Sequence, residues 1–200
     1  MAYKAGVAPL SFAAIFGGTL APLLFAVAIL ADGNWTFDVN SLSDLGISEN
    51  ATVALLFNST CIVSGICTAI FGFGKVMMSN KLDAVSGFLM GLSGVFLLLV
   101  GVFTKANMGL HMTVAVTYFL LNALAIMVSM VSDYRKNRFF MFSFNIVLIL
   151  IVIAANFGYT YKGEEVVYVL LTCSWCMVQG LSLAFSKHYN TESDNRMVIR

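Results

Sequence analysis

Charge is scarce in this chain. Only 10% of its residues are Asp, Glu, Lys or Arg, against about a quarter in soluble globular domains, which leaves no room for a separate water-exposed domain. The 11 Lys and Arg nearly balance the 10 Asp and Glu, so neither face is basic enough for nucleic acid. Histidine is almost missing: of 2 residues, only His111 enters an apolar run. Catalytic zinc usually takes two or more nitrogen or sulfur ligands, so no metal and no cofactor is expected. The 4 cysteines, Cys61, Cys67, Cys173 and Cys176, all fall inside apolar segments and not in loops where disulfides would form. Cys173-Ser174-Trp175-Cys176 is formally CxxC, yet it lacks the accessible turn that redox and zinc motifs use. No GxSxG motif marks a serine nucleophile. No charge stands in the middle of an apolar segment, which argues against a channel or transporter, and no internal repeat stands out.

What is present is apolar. Hydrophobic residues make up 60% of the chain and the mean hydropathy is +0.89. A membrane-crossing helix needs about 20 mostly apolar residues, and six segments qualify: 8–31, 50–74, 84–103, 111–132, 139–158 and 164–185. The expected fold is all-α, a six-helix transmembrane bundle forming one domain over residues 1–185, followed by a polar tail at 186–200. Lys4, Lys75, Lys81, Arg135, Lys136, Arg138, Lys187, Arg196 and Arg200 flank alternate connections, and only Lys105 and Lys162 lie on the other side. Positive residues are retained inside, so both termini should be cytoplasmic and the protein a multi-pass resident of the plasma (cell) membrane. Ala26-Val27-Ala28 imitates a signal cleavage site, but the apolar run before it exceeds the usual h-region, which favours a retained first span.

Along the chain, Gly17-Gly18 and Pro22 predict a kink in the first segment. In the first outer loop, Ser41 and Asp44 have capping-box spacing and Gly46 can end the turn, so NSLSDLG reads as a short helix on the outer rim, with Trp35 and Phe37 as interfacial anchors. Asn58, Cys61, Gly65, Thr68 and Gly72 share one face of segment two. Gly87, Gly91 and Gly94 make segment three a packing helix with no assigned chemistry. In segment four, Tyr118, Asn122 and Ser129 fall within about 20 degrees of His111 around a helix of 3.6 residues per turn, a polar stripe that belongs inside the bundle. Glu164 and Glu165 open segment six, where the helix dipole favours acids.

Three stretches taken together resemble a known family: SLSDLG followed by ATVALLFNSTCIVSG, GVFTKANMGLHMTVAVTYF around His111, and GEEVVYVLLTCSW. They are similar to the six-helix prokaryotic membrane proteins called the domain of unknown function 998 family. A histidine opening one helix and an acid opening another is also similar to a wider group of six-helix eukaryotic proteins, including autophagy-modulator and glycolipid-anchor-remodelling families. The first resemblance implies a fold and no reaction; the second implies a role near lipid headgroups.

The inferred topology gathers Asp44, Asn58, His111, Glu164, Glu165, Lys105 and Asn107 at the outer end. Convergent polar groups beside an apolar interior fit ligand binding. The leading expectation is a pocket that binds or senses the headgroup of a membrane lipid or amphiphile through His111, Asn58, Asp44, Glu164, Glu165, Tyr118 and Asn122. One alternative is a small scaffold subunit with a membrane-protein partner or a second copy of itself. Another is a lipid hydrolase or transferase with His111 as general base, Glu165 or Asp44 orienting it, and Ser41, Ser43 or a water as nucleophile.

Overall fold

The computed structural model describes residues 2–79 and 81–185, so the tail reading for 186–200 lies outside the described residues. Six helices long and apolar enough to cross a membrane account for nearly all of it. They are α1 (Ala2–Asp32), α2 (Ala51–Met78), α3 (Lys81–Val102), α4 (Met108–Arg135), α5 (Phe139–Gly158) and α6 (Tyr161–Phe185). No strand occurs among the described residues. Two short 3₁₀ turns interrupt the connections: a rim turn at Leu42–Ile47 and another at Lys105–Asn107.

Each helix packs on its chain neighbour, and α6 returns to pack on α1, so the bundle closes as a ring in sequence order. The α1–α2, α3–α4 and α5–α6 connections therefore share one end, called here the rim end. Large apolar side chains point outward all around, among them Leu30 at 82% and Phe157 at 89% exposure. Water would penalise such a surface, whereas hydrocarbon solvates it.

α3, α4 and α6 begin about a turn earlier than the apolar runs do, whereas α2 and α5 begin within a residue of them. α4 starts at Met108 because the Asn107 side chain accepts a hydrogen bond from the Leu110 N–H, a cap that a count of apolar residues passes over. α6 likewise starts at Tyr161, which places Glu164 and Glu165 within its first two turns. α1 runs unbroken through Pro22. The neighbouring glycines serve contact: a β-carbon on Gly18 would lie 2.6 Å from the Cys173 carbonyl of α6.

The tightest seam joins α2 and α3, where Gly72 faces Gly91 and Gly87 so closely that a β-carbon at Gly72 would overlap the α3 backbone. The Asn58–Gly72 face of α2 and the GxxxG of α3 thus meet by backbone approach, as small residues allow in membranes. The interior holds two apolar clusters, one near the rim around Phe25, Leu45, Phe57 and Val114, the other around Phe71, Met90, Leu148 and Trp175. A polar seam from α4 runs down between them. His111, Tyr118, Asn122 and Ser129 are all buried. The Tyr118 hydroxyl lies 2.9 Å from Thr172 Oγ1, Asn122 Nδ2 donates to Ser93 Oγ at 3.2 Å, and Gln179 Nε2 donates to Ser129 Oγ at 3.1 Å.

Candidate functional site

The rim turn is fixed before anything is added to it. The Ser41 N–H donates to Asp44 Oδ2 at 2.8 Å, one half of the capping box, and Trp35 Nε1 donates to the Ser41 carbonyl at 2.9 Å. Asn58 Nδ2 donates to the Gly46 carbonyl at 3.0 Å from α2. Gly46 is needed for that approach, since a β-carbon there would lie 2.7 Å from Asn58 Oδ1.

Two other elements close on this turn. Lys105 Nζ donates to Asp44 Oδ1 at 2.6 Å and also to Ser41 Oγ. From α6, Glu165 accepts the Ser43 N–H at 3.0 Å through Oε1 and faces Ser43 Oγ at 3.4 Å through Oε2. Ser41 and Ser43 are buried, with their hydroxyls 3.3 Å apart. Burial alone would raise the Asp44 carboxyl, but the hydrogen bonds from Lys105 and Ser41 outweigh it and hold the group below the usual carboxylate range.

The loop before the rim turn is strapped to the α5–α6 connection. Asp38 adopts φ 63°, a left-handed conformation that Asp tolerates better than most residues. Its Oδ1 accepts from the Thr160 N–H at 2.8 Å, Thr160 Oγ1 at 2.7 Å and the Gly163 N–H at 3.2 Å. The Thr160 hydroxyl is the main reason the Asp38 carboxyl lies below its ordinary pKa. Lys162 Nζ donates to the Val39 carbonyl at 2.5 Å, and Phe37 meets Tyr159 edge-on with ring centroids 5.2 Å apart.

Beside this assembly a cleft of about 190 Å³ opens between α4 and α6, bordered by Ser43, Lys105, His111, Tyr161, Glu164, Glu165 and Tyr168. Below it lies an apolar cleft of about 320 Å³ among α4, α5 and α6, bordered by Ile126, Leu148, Leu171 and the edge of Asn122. Phe119 and Tyr168 border both spaces, their rings edge-to-face at 5.8 Å. The two clefts thus share a wall, polar above and apolar below.

The sequence-derived residues separate on this frame. Ser43, Lys105, His111, Glu164 and Glu165 share the polar cleft, and Asp44 stands behind Lys105. Asn58 is turned to the rim turn, Tyr118 is tied to Thr172 and borders a small interior space with His111 and Glu165, and Asn122 borders the apolar cleft and a deeper space beside Tyr118. A His–acid pair is not formed: His111 Nδ1 lies 2.8 Å from the Phe103 carbonyl. A carbonyl only accepts, so Nδ1 carries the hydrogen and Nε2 is the acceptor of the neutral ring. Glu165 bonds Ser43 and not His111, so the serine–histidine–acid geometry of an acyl-transfer site is not assembled. Among the described residues, no three His, Cys, Asp or Glu side chains come together to hold a metal.

The family described as protein of unknown function (DUF998) matches residues 15–182, most of the chain and the whole of the rim site. The chain belongs to this family. No curated protein and no solved structure matches it. Membership in a family of unknown function, together with six helices long and apolar enough to cross a membrane, fits an integral membrane protein of unassigned activity, and both clefts lie inside the residues matched to DUF998.

The far end of this DUF998 bundle carries chemistry that the sequence reading left unassigned. Asp83 of α3 accepts from Lys136 Nζ and Arg138 Nη2, both at 2.9 Å, and from the Ser132 hydroxyl. Asp133 accepts from Arg138 Nη2 at 2.7 Å and Asn145 Nδ2 at 2.9 Å. Lys75 donates to Gln179 Oε1 at 3.2 Å. Asp83, Asp133 and Lys75 are all buried. Lys75, Lys136 and Arg138 read from the sequence as orientation signals; the cue to more is two acids at helix ends facing three cations. The cysteines, by contrast, are small interior residues: Cys176 Sγ lies 3.6 Å from the Ala14 carbonyl of α1, and none is in a disulfide.

Proposed function

We propose that this protein binds an amphiphile at the rim end, with the headgroup in the polar cleft and an alkyl chain in the apolar cleft below. The observation that carries this reading is the shared wall of Phe119 and Tyr168 between a space lined by ionisable groups and a larger space lined by side chains of three membrane-crossing helices. Concave, mostly apolar sites with a few fixed polar groups are the usual form of a small-molecule site. The positive residues flanking alternate connections support a cell-membrane protein with both termini cytoplasmic, which puts the headgroup position at the outer leaflet. The ligand on this reading is a membrane lipid.

The test is purification in a mild neutral detergent followed by native mass spectrometry. One lipid retained per chain is the expected result, lost when Ala123→Trp fills the apolar cleft. A protein that carries no lipid at that ratio, and takes none up when lipid is added back, overturns the reading.

A further inference from the structure

We infer that the headgroup position selects an ammonium, so that the amphiphile is amine-bearing rather than anionic or uncharged. This rests on the cleft reading above and adds the chemistry of the head. The charge balance of the lining is the first ground. Two carboxyl groups, Glu164 and Glu165, border the polar cleft against one cation, Lys105, and that cation is already paired with Asp44 at 2.6 Å. The other nearby ammonium, Lys162, is bonded to the Val39 carbonyl and does not border the cleft. An anionic headgroup would meet two carboxyl groups and no free cation; an ammonium would meet acceptors.

Further acceptors face the same cleft. With Nδ1 committed to the Phe103 carbonyl, His111 offers an acceptor at Nε2 in its neutral form. The Glu164 carboxylate makes no hydrogen bond among the described residues, although it is partly buried and faces the cleft. Glu165 is oriented by Ser43 through two contacts.

Aromatic rings supply an independent ground. Phe119, Tyr161 and Tyr168 all border the same cleft, and the faces of such rings attract cations within about 6 Å of their centroids. The Tyr161 ring already has an ammonium at that range, Lys162 Nζ at 6.0 Å from its centroid. Carboxylates with aromatic walls above an apolar cleft form a site for an ammonium on an alkyl stem. That ammonium has two sources, a zwitterionic aminophospholipid or a simple long-chain amine.

The experiment uses the full chain in dodecyl maltoside, titrated with four probes of equal chain length and read by native mass spectrometry. The probes are dipalmitoyl phosphatidylethanolamine, dipalmitoyl phosphatidylglycerol, dipalmitoylglycerol and hexadecylamine. Both amine probes, or one of them, should bind about tenfold tighter than phosphatidylglycerol and dipalmitoylglycerol, the scale of one charge-assisted contact. Retention of phosphatidylethanolamine alone points to a phospholipid source, and of hexadecylamine alone to a simple amine. Glu164→Gln should remove that preference while leaving the thermal unfolding temperature unchanged, because the Glu164 side chain makes no hydrogen bond among the described residues. Tyr161→Leu should weaken the amine probes in the same selective way. Equal binding of all four probes, or a preference for phosphatidylglycerol, overturns the ammonium assignment and leaves the cleft reading standing. Binding of none overturns both.

Discussion

Lys105 and Asp44 meet at 2.6 Å although 61 residues separate them, and their contact ties the α3–α4 connection to the rim turn. Lys105 is nearly covered and Asp44 about one-third exposed, so the pair lies between a surface and a buried ion pair. Lys105→Met should lower stability by about 1 kcal/mol, the upper range for exposed pairs, read as a fall in detergent unfolding temperature. Asp44→Asn in the same background should add little, because the two changes remove one interaction.

The same pair sets a pH dependence. The Asp44 carboxyl is held below its unfolded value, so its contribution is complete above the unfolded carboxylate pKa of about 3.9 and is lost as pH falls towards the folded value. Unfolding temperature measured from pH 6 downward should drop more steeply below about pH 4 in the wild type than in Asp44→Asn. Parallel curves would show that Asp44 does not carry the effect.

Asp83 anchors the opposite end. It accepts from Lys136, Arg138 and Ser132 while almost fully buried. Asp83→Ala leaves cations facing an emptied site and should cost about 3–5 kcal/mol, as breaking a buried pair does. The expected readout is a large loss of folded protein after detergent extraction, against near-normal recovery for Glu164→Gln.

Glycine substitutions should split by position. Gly72→Val drives a side chain into the α3 backbone at Gly91 and should prevent α2 and α3 from closing, with a cost of about 3 kcal/mol or more. Gly158→Ala meets nothing within 4 Å and ends a helix, so its unfolding temperature should stay within a degree or two of wild type, as surface changes of about 0.5 kcal/mol do.

Asp38 predicts a local effect. Its half-buried side chain accepts from Thr160 and Gly163. Asp38→Ala should speed protease cleavage within residues 33–50 while leaving the helical circular dichroism signal intact. Unchanged cleavage would show that Lys162 and the Phe37–Tyr159 contact hold the strap without it.

Features set by local spacing were legible in the sequence. The His111–Ser129 stripe follows from helical period, and the Ser41–Asp44 cap from a three-residue offset, so both could be read from neighbours alone. The Glu165–Ser43 contact, 122 residues apart, belongs to the ring closure and has no local trace. Asn58 stood out by type and position, yet its partner is the Gly46 carbonyl, a backbone group that any residue would supply. The partners of Asp83 have no local trace either, since Lys136 and Arg138 read as loop charges and the same lysine or arginine serves equally as a topology signal or as a counter-ion.

The ring is not equally stiff around its circumference. α2 and α3 touch backbone to backbone at Gly72 and Gly91, whereas α4 and α6 are bridged across their clefts by side chains, Tyr118 to Thr172 and Gln179 to Ser129. Separating the first pair means pulling apart close-packed main chain; separating the second means breaking two hydrogen bonds and sliding a few rings. The α4–α6 contacts therefore yield to a smaller disturbance than the α2–α3 seam does.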